Sequence, residues 1–218
     1  MQRMKSNKRK PRMTQTLLTF PKLGAHSSRT FRPIEVDNMK IWLWNANGIA
    51  QKIDQLDSAI ESDPRQPGVI IVTETHLLKG SRLPPLPGYQ SFAKATGRKS
   101  GVGVYVSDTM DFKAEQSLDE DRIITIKTEN FAVIGAYAPV DCANADERED
   151  FFEHLTATIM QLKSDKIDCI VLGGDLNAQL AGHGHAEDNG NGTLTRRLCS
   201  TTGLFVTPQT EATWSRPM

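Results

Sequence analysis

Short apolar runs recur along this chain, and four of them end in polar side chains of similar chemistry. The runs cover residues 40–45, 69–73, 131–137 and 167–172, and they are rich in the β-branched and aromatic residues that favour strands. Their polar ends are Asn45-Ala46-Asn47-Gly48, Glu74, Tyr137-Ala138-Pro139 and Asp175-Leu176-Asn177. Because open α/β sheets place their chemistry beyond the carboxyl ends of strands, the repeated pattern predicts a functional site built from several strand ends.

Helical periodicity occurs between the apolar runs. Residues 51–62 predict a helix that ends before Asp63-Pro64, and residues 194–199 predict a short one. The longest helix is predicted at residues 146–162, with an apolar face of Phe151, Phe152, Leu155, Ile159 and Leu162. Further short strands are predicted at residues 89–93, 102–106, 122–127 and 205–206. A strand, a helix and a second strand in succession predict a layered α/β fold.

The most informative run ends in Gly173-Gly174-Asp175-Leu176-Asn177. Two glycines after a strand predict a sharp turn that presents a carboxylate and a carboxamide at the strand's end. Both side chains carry hard oxygen ligands of the kind that Mg²⁺ or Mn²⁺ prefers. The alternative is a plain turn in which Asp175 and Asn177 hydrogen-bond their own backbone. The three other polar strand ends favour the functional interpretation.

The composition is that of a soluble globular protein, with 38% hydrophobic and 24% charged residues in a chain of 218. That length suffices for one domain with a sizeable core, with or without a tail. No apolar run reaches the roughly 18 residues of a membrane span and the N-terminus lacks the apolar core of a secretory signal, so we expect an intracellular protein. Cys142, Cys169 and Cys199 show no paired spacing, which favours free thiols.

Charge is divided unevenly along the chain. Residues 1–38 hold nine Lys or Arg against Glu35 and Asp37, a net charge of +7, whereas residues 39–218 hold 17 basic and 24 acidic residues, a net charge of −7. The scarcity of apolar residues makes residues 1–38 a predicted disordered basic arm and residues 39–218 the predicted folded domain. Clustered positive charge suits nuclear import or contact with a phosphate backbone, although such runs are often only solvated.

Together the four polar strand ends resemble the motifs of the exonuclease-endonuclease-phosphatase superfamily, and most closely those of the apurinic-like endonuclease domain of jockey-type non-LTR retrotransposons. The resemblance covers residues 39–218. It implies an α/β fold of the four-layer sandwich type, in which two mainly antiparallel sheets pack face to face between helices. It also implies a hydrolase that cleaves phosphodiesters with a divalent metal ion, Mg²⁺ or Mn²⁺.

The resemblance gives roles to the residues at the strand ends. Asn45 and Asn47 match the first motif, in which Asn47 would help to hold the metal ion and Asn45 would contact phosphate or DNA. Glu74 matches the metal-binding glutamate, and Tyr137 matches the tyrosine that contacts the scissile phosphate. The pair that orients the attacking water and the phosphate corresponds to Asp175 and Asn177.

Loop residues extend the predicted site. Asn189 and Gly192 resemble the asparagine-glycine segment that precedes a helix in retrotransposon members, and Asn189 is therefore a predicted DNA contact. Arg98 and Lys99 lie just before the predicted strand at residues 102–106. This basic loop is a further predicted contact with phosphate.

The chain departs from the family pattern in its histidines. Family members end with a serine-aspartate-histidine segment preceded by an aspartate-tyrosine strand, and this chain has neither. We therefore expect either a truncated product of a mobile element or a longer protein whose remainder lies outside these 218 residues. In this chain we expect a sandwich without its last strands, and weak or absent activity. His76 is expected to be only a polar neighbour of Glu74. His183 and His185 alternate with glycines, which is a weak metal pattern without a third ligand.

The leading hypothesis is a Mg²⁺-dependent endonuclease that nicks target DNA for retrotransposition in the nucleus, beside a reverse transcriptase domain in the full element. A second hypothesis is a non-catalytic remnant that binds nucleic acid or a partner through the basic arm. A third keeps the chemistry on another substrate, as in the phosphoinositide or sphingomyelin phosphatases of the superfamily. The basic arm and the Trp44-Asn45-Ala46-Asn47-Gly48 motif favour DNA over lipid.

Overall fold

The computed structural model describes residues 15–17, 32–36, 39–94, 101–115, 122–167 and 169–207. A short 3₁₀ turn, Ile49–Gln51, follows the third strand. The strands and helices in these ranges are, in chain order, β1 (Gln15–Leu17), β2 (Arg32–Val36), β3 (Met39–Asn45), α1 (Ile53–Ser62), β4 (Val69–Thr73), β5 (Tyr89–Lys94), β6 (Val102–Ser107), β7 (Lys113–Glu115), β8 (Ile123–Lys127), β9 (Phe131–Tyr137), α2 (Ala145–Ser164), β10 (Cys169–Asp175), α3 (Gly190–Thr202) and β11 (Phe205–Val206).

Within the described residues the strands form two sheets. The first sheet has the order β11-β1-β10-β9-β8-β7, and the second has the order β2-β3-β4-β6-β5. In the first sheet β9 and β10 run parallel, in a register that pairs Tyr137 with Asp175. In the second sheet β3 and β4 run parallel, and Asn45 pairs with Thr73. Parallel pairing brings the carboxyl ends of neighbouring strands together, which explains why the polar ends gather at one edge of each sheet.

The two sheets pack face to face and form the central core. Alternate residues of the second sheet, such as Leu43, Ile71 and Val104, form one apolar cluster with residues of the first, such as Val133 and Val171. Helix α1 covers the outer face of the second sheet, and helices α2 and α3 cover the outer face of the first. The predicted four-layer α/β sandwich is therefore confirmed. The first sheet is not mainly antiparallel as expected, because the strands β11, β1, β10 and β9 pair in parallel.

Gly173 and Gly174 do not make the sharp turn that the sequence suggested, because β10 continues through both of them to Asp175. A Cβ atom at Gly173 would lie 2.6 Å from Leu43 Cδ2 and 2.8 Å from Ile71 Cδ1. The missing side chain therefore allows the two sheets to approach closely at this point. Gly174 has a φ of 136°, which glycine adopts at little cost. The turn begins only after Asp175.

Helix α2 uses the predicted amphipathic pattern. Asn144 caps its N-terminus by accepting a hydrogen bond from the backbone N–H of Asp146 at 3.1 Å. All five apolar residues predicted on its face are buried against the first sheet, namely Phe151, Phe152, Leu155, Ile159 and Leu162. Of the helices in the described ranges, neither α2 nor any other is long and apolar enough to cross a membrane.

Two segments of the predicted basic arm belong to the sheets. β1 lies between β10 and β11 and pairs in parallel with both, and β2 pairs antiparallel with β3. The expectation of disorder is therefore wrong for Gln15–Leu17 and Arg32–Val36, and the folded domain includes residues before position 39. The rest of the predicted arm lies outside the described residues, as do Thr213 and Trp214, where we expected a further element.

Candidate active site

Asp175 ends β10 and is almost fully buried, with 1% of its surface exposed. Its Oδ1 accepts a hydrogen bond from the backbone N–H of Asn177 at 2.8 Å. Asn177 has a φ of 48°, which asparagine tolerates better than most residues, and its Nδ2 donates to the carbonyl of Ala138 at 2.9 Å. The alternative of a plain turn, in which Asp175 and Asn177 hydrogen-bond backbone groups, thus describes part of the geometry. The same turn also ties β10 to the loop after β9.

Tyr137 ends β9 opposite Asp175 in the sheet register and is 5% exposed. Burial raises the pKa of Tyr137 to about 12, and the negative charges of Glu74 and Asp175 add to the increase, while Arg122 and the side chain of Asn177 oppose it. The hydroxyl group therefore lies within electrostatic reach of both carboxylates. At neutral pH it stays protonated and is a hydrogen-bond donor.

The other side of the site is formed by the loops after β3 and β4. Backbone hydrogen bonds join these loops, because the N–H of Ala46 donates to the carbonyl of Thr73 at 3.0 Å and the N–H of Gly48 donates to the carbonyl of Glu74 at 2.8 Å. Asn47 lies between the two donors and is thereby held beside Glu74. The sequence motifs of β3 and β4 thus meet through their backbone.

Three residues of these loops have a left-handed backbone, Asn47 with φ 44°, Glu74 with φ 51° and His76 with φ 54°. Such a residue costs about 1–3 kcal/mol, and such outliers cluster at functional sites. Asn45 supports the turn, because its Oδ1 accepts the backbone N–H of Asn47 at 3.2 Å. The predicted contact of Asn45 with phosphate or DNA stays a prediction.

Lys52 is a neighbour of the site that sequence reasoning missed. Its Nζ donates to the carbonyl of Ala46 and, at 3.1 Å, to the carbonyl of Asn47. A lysine at the N-terminus of α1 opposes the helix dipole, and this unfavourable position was the available signal. His76 is the polar neighbour of Glu74 that we expected, with Nε2 4.0 Å from the Oε2 of Glu74.

Asn189 directs its side chain to the backbone. Its Oδ1 accepts hydrogen bonds from the N–H of Gly192 at 2.7 Å and of Gln179 at 2.9 Å, and its Nδ2 donates to the carbonyl of Asn177 at 3.0 Å. It caps α3, which begins earlier in the chain than the hydrophobic pattern predicted. The amide of Asn189 therefore positions the loop after β10, and its direct contact with DNA stays a prediction.

The remaining predicted residues do not extend the described site. Arg98 and Lys99 lie outside the described residues. His183 and His185 lie in the loop between β10 and α3. In the part of the chain that the structure describes, no group of three or more His, Cys, Asp or Glu side chains is arranged to hold a metal ion. The histidine-glycine pattern therefore forms no such cluster there.

The donors at the site suit a hard, partly hydrated cation. The Glu74 side chain keeps 18% of its surface exposed, and Asn47 is exposed, so the oxygens of both are open to an ion from solution. Mg²⁺ keeps several waters and is commonly bound through one or two carboxylates, so it needs no three-ligand cluster of the kind missing from the described ranges. Glu74 and Asn47 are the residues that would hold it.

Known proteins share this fold. Residues 43–217 match the family described as the Endonuclease/Exonuclease/phosphatase family. A search of curated proteins finds no match. One similar solved structure is the 3′ phosphatase NExo from Neisseria bound to a product DNA hairpin, with a TM-score of 0.58 and 18% identity over 75% of this chain and 71% of that one.

Two further solved structures are similar. The 3′–5′ exonuclease NExo from Neisseria meningitidis has a TM-score of 0.57 and 17% identity over 75% of this chain and 71% of that one. An AP endonuclease from Archaeoglobus fulgidus has a TM-score of 0.42 and 21% identity over 56% of this chain and 51% of that one. The two NExo structures show that the two-sheet fold is shared.

The family match spans the whole described site, from Asn45 on β3 to Asn189 before α3. It includes the tyrosine and the two carboxylates that the fold brings together. The chain therefore belongs to the endonuclease/exonuclease/phosphatase family, whose members are metal-dependent hydrolases.

Proposed function

We propose that this protein hydrolyses phosphodiester bonds in DNA with Mg²⁺ or Mn²⁺ and nicks target DNA during retrotransposition. The observation that carries the proposal is the pairing of Tyr137 with Asp175 at the ends of β9 and β10, where Asn177 bonds to the loop after β9 and the charge of Glu74 acts on Tyr137. This set combines a hydrogen-bond donor, a proton acceptor and a metal ligand at one place. The proposed setting is the nucleus, with a reverse transcriptase domain in the full element.

Each side chain has a role that its geometry supports. Protonated Tyr137 donates a hydrogen bond to an oxygen of the scissile phosphate, and Asn177, fixed against the loop after β9, orients the same group. Asp175 takes a proton from the attacking water. Glu74 and Asn47 would hold the metal ion, which would supply positive charge for the phosphate and the leaving 3′ oxygen.

We propose a low rate for this 218-residue chain. The sequence contains no serine-aspartate-histidine segment. His76 is not positioned to replace the histidine of that segment. It is near the carboxylate of Glu74, on the metal-binding side of the proposed site, whereas Asp175 lies on the other sheet. Loss of one general acid or base typically costs about 10²–10⁴-fold in rate, so we expect slow nicking even at saturating Mg²⁺.

Nicking of supercoiled plasmid tests the proposal. The wild-type chain should produce open circles with Mg²⁺, EDTA should stop the reaction, and Asp175→Ala should lower the rate at least about 100-fold. Glu153→Gln is the matched control, because it removes an exposed carboxylate of α2 that lies outside the proposed site. Equal rates in wild type and Asp175→Ala, or undiminished nicking in EDTA, would refute the proposal.

A substrate panel separates the alternatives. A non-catalytic remnant binds DNA and leaves every substrate intact. A phosphatase removes a terminal phosphate, and one similar structure is a 3′ phosphatase bound to a DNA hairpin. Plasmid, a DNA hairpin with a 3′ phosphate, and vesicles containing phosphoinositide therefore distinguish an endonuclease, a DNA phosphatase and a lipid phosphatase by which substrate is consumed.

A further inference from the structure

We propose that Asn191 is a positioning residue for this site, a buried amide clamp that sets the spacing between the loop after Tyr137 and the loop after Asp175. Asn191 lies in the first turn of α3 and has no exposed surface. The inference rests on the proposed function, because it gives Asn191 a part in the same reaction. No sequence motif pointed to this residue.

The side-chain nitrogen of Asn191 bonds to both loops. Nδ2 donates to the carbonyl of Pro139 at 2.8 Å and to the carbonyl of Leu176 at 2.9 Å. Pro139 is two residues beyond Tyr137, and Leu176 follows Asp175 directly. One amide group therefore links the two loops that directly follow Tyr137 and Asp175.

The sheet itself stops short of these carbonyls. The ladder between β9 and β10 ends at the pair of Tyr137 and Asp175, and one more backbone bond follows, from the N–H of Ala138 to the carbonyl of Asp175 at 2.8 Å. Beyond this point the two segments leave the sheet, and their buried carbonyls need other hydrogen-bond donors. Asn191 supplies two donors from one side chain, so a shift of either loop breaks a hydrogen bond.

The amide of Asn191 is held in one orientation. Its two partners are carbonyls, which accept hydrogen bonds, so the nitrogen must face the loops. The backbone N–H of Asn191 donates to Oδ1 of Asp141 at 3.0 Å, and Arg148 Nη1 donates to the same oxygen at 2.8 Å. These contacts fix the first turn of α3 against the loop after β9.

The remaining oxygen shows what the asparagine adds. Oδ1 of Asn191 is buried and has no hydrogen-bond partner among the described residues. A buried acceptor without a partner is unfavourable, and a leucine would fill the space without that cost. The two donated bonds are therefore the contribution that requires an amide at this position.

The spacing of the loops matters for rate more than for binding. Asn191 has no exposed surface with which to touch a substrate, whereas in the proposed reaction Tyr137 acts on the phosphate and Asp175 on the water that attacks it. Misplacement of reacting groups by about 1 Å costs about 100-fold in rate. Removing the clamp should therefore lower kcat while KM changes little.

Asn191→Asp tests the clamp with the least change in shape, because an oxygen replaces the donating nitrogen. In plasmid nicking by the full chain with Mg²⁺, we expect kcat to fall about 10–100-fold and KM to stay within about threefold. Asn191→Ala is the second variant if the buried charge of Asn191→Asp prevents folding.

Two variants of the same helix serve as controls. Leu198→Ala removes a buried core side chain of α3 without removing a side-chain hydrogen bond. Thr195→Val removes a buried hydroxyl that has no partner among the described residues. Thr195→Val should leave kcat and Tm near the wild-type values, and Leu198→Ala should lower Tm while kcat per folded molecule is kept.

The outcomes separate the clamp from the proposed function. The Asn191 variants are compared with Leu198→Ala at an equal loss of Tm. If they keep the same kcat per folded molecule as Leu198→Ala, the clamp is overturned. If the wild-type chain nicks no DNA, the proposed function fails, and hydrogen–deuterium exchange decides about the clamp. Faster exchange confined to residues 138–142 and 176–180 in Asn191→Asp, and not in Leu198→Ala, supports it. Unchanged exchange in both loops overturns it.

Discussion

The two walls of the site are held in place by different means. In the first, which we call the amide-bound wall (residues 137–141 and 175–191), the side chains of Asn177, Asn189 and Asn191 donate to backbone carbonyls. In the second, the backbone-bound wall (residues 45–52 and 73–76), main-chain hydrogen bonds join two loops and Glu74 stays open to solvent. The first wall is suited to fixing phosphate and water, and the second to accepting an ion from solution.

Backbone strain is also distributed unequally between the walls. Among the described residues, five that are not glycine have a positive φ, and three of them lie in the backbone-bound wall, namely Asn47, Glu74 and His76. The amide-bound wall contains one, Asn177. The strained backbone of the proposed metal-binding residues persists because the hydrogen bonds between the two loops hold it. This backbone points the side chains of Asn47 and Glu74 in directions that an unstrained strand end would not give them.

The largest expected effect is that of Asp175→Asn in the amide-bound wall. Asparagine can still accept the hydrogen bond from the N–H of Asn177, so the turn should survive, while the carboxylate that takes the proton is lost. We expect nicking to slow about 10³-fold, with Tm near the wild-type value. Plasmid nicking and thermal unfolding measure the two quantities. Nicking within threefold of wild type would exclude Asp175 as the base.

Glu74→Gln tests the backbone-bound wall. Because the carboxylate is partly exposed and lies at the proposed ion site, we expect the affinity for Mn²⁺ to fall at least about tenfold and Tm to change little. Calorimetric titration with Mn²⁺ measures the affinity, with Glu153→Gln as the control for loss of one surface carboxylate. An unchanged affinity would remove Glu74 from the metal site.

Tyr137→Phe should lower the nicking rate about 10–100-fold, because the phosphate loses one hydrogen-bond donor. The mutation should also change how the free energy of unfolding depends on pH. Burial raises the pKa of Tyr137 to about 12, so the folded state holds the proton more tightly than the unfolded state, whose pKa is about 10. The resulting stabilisation is complete below pH 10 and is lost as pH rises towards 12.

Urea unfolding at pH 8 to 11.5 checks this pH dependence. Tyr137→Phe should flatten the alkaline loss of stability relative to wild type. Tyr89→Phe is the matched control, because burial also raises the pKa of Tyr89 to about 12 and this residue lies on β5, outside the site. It should flatten the loss similarly and keep the nicking rate. An equal fall in nicking for both variants would contradict a specific role for Tyr137.

The sequence predicted the main helices, the polar strand ends and every strand except β1, β2 and β7, because these features depend on local periodicity. Glu74, Tyr137 and Asp175 each follow an apolar run, and parallel pairing then brings neighbouring strand ends together. What the sequence could not supply depends on distances between layers. Gly173 looks like a turn residue in sequence, whereas its function is the contact with Leu43 across the sheets.

Long-range hydrogen bonds were equally invisible in the sequence. Asn191 bonds to Pro139, which lies 52 residues away in the chain, and no spacing rule connects the two. Asn189 was predicted as a DNA contact from the family pattern, and the structure gives its amide three backbone partners. A polar residue in a loop therefore identifies the neighbourhood of a site, and only the fold shows which atoms the residue binds.

The smallest expected effect is that of Lys52→Met, in which two opposed contributions compete. The lysine supports the turn of Asn47 through the carbonyls of Ala46 and Asn47, and its positive charge repels a nearby cation. We expect the lost support to dominate and the affinity for Mn²⁺ to fall about threefold, because a hydrogen bond from a charged group is worth about 1.5–3 kcal/mol before solvent exposure reduces it.

Calorimetry at 0.05 and 0.5 M salt separates the two contributions, since salt screens the charge and leaves the turn's support unchanged. A deficit that persists at high salt supports the role of Lys52 in holding the turn, and a gain in affinity at low salt would show that its charge is the larger effect.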